Sequence, residues 1–103
     1  MIARKVSDIQ GMINPHGVEA RPLFQSDRAM IMHLTLKSGD SITPHPSPAG
    51  TCFFVLEGEG TVIIGDEKKD VQAGTVIECP AGHAHGWLKE SPGTLKILVF
   101  KLS

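Results

Sequence analysis

The sequence predicts a small all-β domain, an antiparallel β-barrel or sandwich, on three observations. Short apolar runs of strand length recur from Val18 onward, at residues 18–24, 29–36, 51–56, 61–64, 75–79, 85–88 and 94–102. Turn chemistry separates them at Ser38-Gly39-Asp40, Glu57-Gly58-Glu59-Gly60, Gly65-Asp66, Ala73-Gly74, Pro80-Ala81-Gly82 and Ser91-Pro92-Gly93. After Val18 no window sustains the 3.6-residue spacing of a helix.

The first 16 residues form an N-terminal segment, and residues 17–103 the barrel of a single domain. Within the segment, Ser7 and Gln10 lie three apart and can satisfy each other's backbone donors in one helical turn. Gly11 and then Asn14-Pro15 end that turn. The runs at 29–36 and 95–102 are apolar on both faces, whereas a strand with one face in water alternates. Something must cover the second face, and a homodimer is the expected arrangement.

A 103-residue chain that is 41% hydrophobic and 20% charged has the composition of a globular domain with a real core. Its formal net charge of -1 supplies no positive field for nucleic acid or an anionic membrane, so neither is an expected partner. No apolar run approaches the roughly 20 residues that cross a bilayer. Met1-Ile2-Ala3-Arg4-Lys5 carries charge with no apolar block behind it, so no secretory signal is expected. Cys52 and Cys79 form no CxxC pair and sit in apolar runs, which fits two buried thiols in a reducing cytoplasm.

Residues 39–86 carry the chemistry. One cluster, Gly39-Asp40-Ser41-Ile42-Thr43-Pro44-His45-Pro46-Ser47, precedes a strand-like run that ends at Gly58. The other is Gly74-Thr75-Val76-Ile77-Glu78-Cys79-Pro80-Ala81-Gly82-His83-Ala84-His85-Gly86. In these clusters the chain resembles the cupin superfamily. Gly39, His45 and Gly58 match the family's first motif, and Gly74, Pro80, Gly82 and His85 its second. The resemblance implies a jelly-roll barrel, the double-stranded β-helix, with a small-molecule pocket. It also implies a divalent transition metal (Zn, Fe, Mn, Ni or Cu) as the candidate cofactor. Ser47 stands where the family places its second histidine, Thr51 where it places a carboxylate, and Lys89 where it places an asparagine. Of the family's four metal ligands, His45 and His85 are present.

Side chains two apart on a strand share a face. If His45 points inward as the family's first ligand does, Ser47 shares its direction. The same register puts Thr51, Phe53 and Val55 inward and turns Cys52, Phe54 and Leu56 away. His85 and Trp87 share a face, with Trp87 as an apolar wall. The expected pocket is therefore Ser47, Thr51, Phe53 and Trp87 around the candidate metal ligands His45 and His85.

Two histidines alone hold a metal poorly, because serine and threonine hydroxyls keep their protons at neutral pH. His83 is one candidate third donor, and a three-histidine site would leave an open position. Its alternative is a solvated place at the barrel mouth. Glu78 is the other candidate, in a two-histidine, one-carboxylate set, or else a solvent-facing charge. Cys79 reads as core, His33 as facing either the pocket or an interface, and His16 as loop.

Three functions stay open. The first is a pocket for a small polar or carboxylate-bearing molecule with an optional metal, the second a metal-dependent enzyme of dioxygenase or isomerase type, the third a ligand-sensing module without turnover. No nucleophile elbow, phosphate loop or HExxH helix occurs, and the chain has no Tyr for a base-stacking platform.

Overall fold

The computed structural model describes residues 1–102. Ten strands form two antiparallel sheets packed face to face. One sheet has the order β1(Met12–Ile13), β2(Glu19–Gln25), β3(Ala29–Lys37), β10(Thr94–Leu102), β5(Gly50–Glu57), β8(Val76–Cys79). The other has the order β4(Ser41–Pro46), β9(Ala84–Leu88), β6(Glu59–Ile64), β7(Glu67–Gln72). The expected all-β jelly roll is what forms, and no α-helix occurs among the described residues.

Alternation builds the core. In β5, Thr51, Phe53 and Val55 are buried while Cys52 and Phe54 are only partly covered and Leu56 is exposed. In β10, Leu95, Ile97 and Val99 point the same way into the core. Trp87 and Val62, direct neighbours across β9 and β6, close it from the opposite sheet.

Three strands lie where the sequence pattern shows none, and all three are sheet edges. β4 contains Pro44 and Pro46, which an edge tolerates because the missing amide hydrogen need not feed a ladder. β7 reads Glu67-Lys68-Lys69-Asp70-Val71-Gln72, the charged composition that discourages edge-to-edge pairing. β1 has two residues. The N-terminal turn is a 3-10 turn at Val6–Asp8 instead of a Ser7-capped one. It is held from outside: the Arg21 guanidinium donates to the carbonyls of Val6 (3.0 Å) and Ile9 (3.3 Å).

The outer face of the six-stranded sheet stays apolar. Ile31, Leu98, Phe100 and Phe54 are half-buried there, beside the exposed Val76 and Leu56. His33 belongs to this outer face, opposite in direction to Leu34 and paired with Arg21 and Leu98. It is buried, and its Nδ1 has no partner among the described residues.

Candidate functional site

The site begins with an irregularity in one edge strand. Ile42 pairs with Trp87, yet three residues later His45 pairs with His85, so β4 carries one more residue than β9 between these pairs. Such a bulge re-aims the side chain that follows it. Gly86 makes it possible: a Cβ there would meet the Ile42 carbonyl oxygen and lie 2.8 Å from the Pro44 nitrogen. With glycine at 86 the Pro44 backbone comes close, and the two imidazoles become cross-strand neighbours with ring centroids 4.8 Å apart.

His85 is 4% exposed and Trp87 1%. Phe53, from the facing sheet, sets its ring edge-on to both, with centroids at 5.2 Å from His85 and 5.4 Å from Trp87. These rings border a cavity of about 310 Å³ whose remaining wall is mostly aliphatic and thioether, including Met30, Met32, Leu34 and Ile42. The His85 Nε2 and Trp87 Nε1 atoms are buried and have no hydrogen-bond partner among the described residues. A buried polar atom left alone is costly, and these two belong to residues of one cavity wall. Burial first, and then positive charge at His45 and Lys101, hold the His85 imidazole down to a pKa of about 4. His85 is therefore neutral near pH 7.

His45 lies within 3.1 Å of the Thr43 carbonyl through Nδ1. A carbonyl only accepts, so Nδ1 carries the hydrogen.

Two lining residues escape the sequence pattern. His16 stacks on His45 with centroids 5.2 Å apart and planes 23° from parallel. It is held there by an Asn14 turn, in which the Asn14 side-chain oxygen accepts from the amides of His16 and Val18, both at 3.0 Å. Gly17 completes the turn at φ +79, a region glycine adopts freely. The Asn14-Pro15-His16-Gly17 run was the available signal, but a turn signature does not say what the turn lies against. Lys101 is the second. It follows Val99 by two on β10 and shares its inward direction, with Thr51 and Met30 as cross-strand neighbours.

The other expected site residues divide. Phe53 and Trp87 line the cavity with His45 and His85. Ser47 and Thr51 are buried but do not line it. Their hydroxyls turn to the backbone of Ala49, Ser47 accepting from its amide at 3.3 Å and Thr51 donating to its carbonyl at 3.5 Å. The chain reverses between β4 and β5 here, so the parity of β4 does not carry on to Ser47, whereas Thr51 keeps the inward parity of β5 and differs only in where its hydroxyl bonds. His83 and Glu78 are exposed and border a separate surface depression, so the structure brings neither to the His45–His85 pair. His83 lies on the Pro80-Ala81-Gly82 turn, and Glu78 shares its outward direction with Val76. Lys89 is also far from the pair in role. Only 1% exposed, it donates to Ser91 Oγ (2.8 Å) and to the Pro92 carbonyl (3.0 Å), bracing the loop before β10.

Fold and site together define a small jelly-roll barrel with an internal, histidine-headed pocket. The cupin-domain family model matches residues 32–101, and the chain belongs to the cupin family. The protein TT1209 from Thermus thermophilus is similar at 27% identity, with a TM-score of 0.85 over 99% of this chain and 97% of that one. The polyketide cyclase RemF from Streptomyces resistomycificus is 25% identical, with a TM-score of 0.88 over 99% of this chain and 79% of that one. A predicted oxalate decarboxylase from Thermotoga maritima shares the fold at 20% identity, with a TM-score of 0.89 over 98% of each chain. No curated protein matches the sequence.

Proposed function

We propose that this cupin binds a small organic molecule inside its barrel and orients it through the His45–His85 pair. The observation that carries the reading is a mostly apolar cavity of about 310 Å³ walled by His85 and Trp87, each of which has a buried ring nitrogen with no hydrogen-bond partner among the described residues. A mostly apolar cavity with a few convergent polar groups is the usual form of a small-molecule site. RemF, similar over nearly the whole of this chain, is a polyketide cyclase, which supports an organic guest in a barrel of this shape.

The metal that the family implies fits these donors poorly. Catalytic zinc sites take three protein ligands, and His45 and His85 offer two. His16 does not complete the set, because near-parallel stacked rings direct their in-plane lone pairs side by side instead of to one point. Among the described residues no group of three His, Cys, Asp or Glu is placed to hold a metal.

Catalysis by acid and base is supported less than binding. An efficient general base titrates near the working pH, whereas His85 is held at about 4. It acts instead as a neutral hydrogen-bonding group. Elemental analysis of protein purified without a histidine tag, beside the His45→Ala, His85→Ala double variant, tests the assignment. Equal trace metal in both is expected; near one equivalent in the parent and none in the variant would instead establish a metal-dependent protein.

A second copy of the chain is the proposed partner for the outer sheet face, where Leu98, Phe100 and Phe54 adjoin with no charge among them. Light scattering should give a dimer mass at micromolar concentration, and Leu98→Glu a monomer. A monomeric parent removes the proposal.

A further inference from the structure

The binding reading leaves the chemical class of the guest open, and the wall of the cavity narrows it. Apart from the three imidazoles, the polar side chains in that wall are few: Asn14, committed to its own turn, Trp87 with its single N–H, and Lys101. Among the described residues Lys101 is the one there with a fixed charge, and no carboxylate side chain lines the cavity with it. Glu78, beside Cys79 two strands away, shares the outward direction of Val76 and does not line the cavity. Lys101 follows Leu95, Ile97 and Val99 on the inward face of β10, a direction otherwise used only for the core.

We propose that the cavity is built for a compact monoanion with an apolar body, an aromatic or branched aliphatic carboxylate, whose head group pairs with Lys101 and hydrogen-bonds at His85. This rests on the binding reading above and deepens it. The apolar body meets Met30, Met32, Leu34 and Phe53. An ammonium only donates, so a guest that pairs with Lys101 must supply acceptors. A carboxylate supplies two oxygens and cancels the charge. A neutral amide supplies one oxygen and leaves the ammonium unmatched. About 310 Å³ is the space of roughly ten liquid waters, which suits a guest of benzoate or branched-chain acid size.

Trp87 is the sole tryptophan and lies in the cavity wall, so its emission reports occupancy directly. Benzoate, phenylacetate and 3-methylbutanoate would be titrated at pH 7.5 and constant ionic strength, each beside its neutral amide. Charge-assisted hydrogen bonds are about twice as strong as neutral ones, so at least one acid should bind roughly tenfold tighter than its amide. Lys101→Met should bring that acid down to the affinity of the amide, and Lys101→Arg should restore the preference. Equal binding of acid and amide, or a preference that survives in Lys101→Met, overturns the anion assignment and leaves the binding pocket standing. No binding of any acid or amide at millimolar concentration overturns both.

Discussion

His85 sets how the folded domain responds to acid. An unfolded chain protonates this imidazole at its ordinary value of 6.5, while the fold, chiefly by burying it, holds it near 4. Between those values the unfolded state binds a proton that the native state refuses. Stability therefore rises with pH across the window; it is complete above 6.5 and lost as pH falls toward 4. The separation of about 2.5 units, at 1.36 kcal/mol each, is worth about 3 kcal/mol. That is a large share of the 5–15 kcal/mol typical of a small domain. Urea unfolding followed by Trp87 emission at pH 7.5, 6.5, 5.5 and 4.5 measures it. Carboxylates contribute their own acid loss, so the diagnostic quantity is parent minus His85→Phe, a variant that keeps an aromatic ring beside Phe53. The parent should lose roughly 2–3 kcal/mol more than the variant by pH 4.5. His45→Ala should fall between them, because positive charge at His45 is the second cause of the His85 shift. Part of the slope left in His85→Phe belongs to His33, which burial, then Lys96 and Arg21, push in the same direction. Parallel stability curves for parent and His85→Phe would refute the account.

Three further substitutions probe the scaffold around the site. Gly86→Ala should destabilise the domain by about 1–3 kcal/mol or more, since its Cβ meets strand backbone, which cannot move aside as a side chain can; a chemical unfolding midpoint equal to the parent's would contradict the bulge geometry. His16→Ala removes one stacked ring from an exposed turn. Aromatic pairs contribute about 0.5–1.5 kcal/mol, so the unfolding free energy should fall by about that amount, and a value equal to the parent's would show that the stacking contributes nothing. Lys89→Met keeps the buried stem but loses the bonds to Ser91 and Pro92. A loss of about 1–3 kcal/mol in unfolding free energy is expected, with ligand affinity unchanged because Lys89 does not line the cavity.

The interior strands were legible because their environment imposes one rule. β5 and β10 bury alternate residues, and Thr51, Phe53 and Val55 obey that parity in the structure. The edges were not, because β4 and β7 satisfy a different demand: prolines and charges there keep an open edge from pairing with another chain. At the site the same division holds. Trp87 follows His85 by two on an unbroken strand, and Phe53 sets its ring against both. Ser47 lies past the end of β4, where the turn to Ala49 claims its hydroxyl. Thr51 sits on the inward face of β5 as parity requires, yet its hydroxyl also goes to Ala49. Parity fixes a side chain's direction but not its hydrogen-bond partner. Lys101 was readable by counting in twos from Val99, but a run apolar on both faces hides which face is inner.

The charge balance of the cavity argues for an organic anion over a metal on grounds independent of how many donors are present. A divalent cation at His45 and His85 would share the cavity with the Lys101 ammonium, and like charges repel. Burial compounds this, since the mostly hydrocarbon wall supplies few dipoles to replace the hydration a cation gives up. An anion reverses the sign: it is drawn by Lys101, and its oxygens accept hydrogen bonds from the ammonium. The bulge at Gly86 that sets two imidazoles side by side therefore yields different chemistry according to what faces it. Here it faces Lys101, Phe53 and a thioether wall, the setting that the proposed small acid would fit better than a cation.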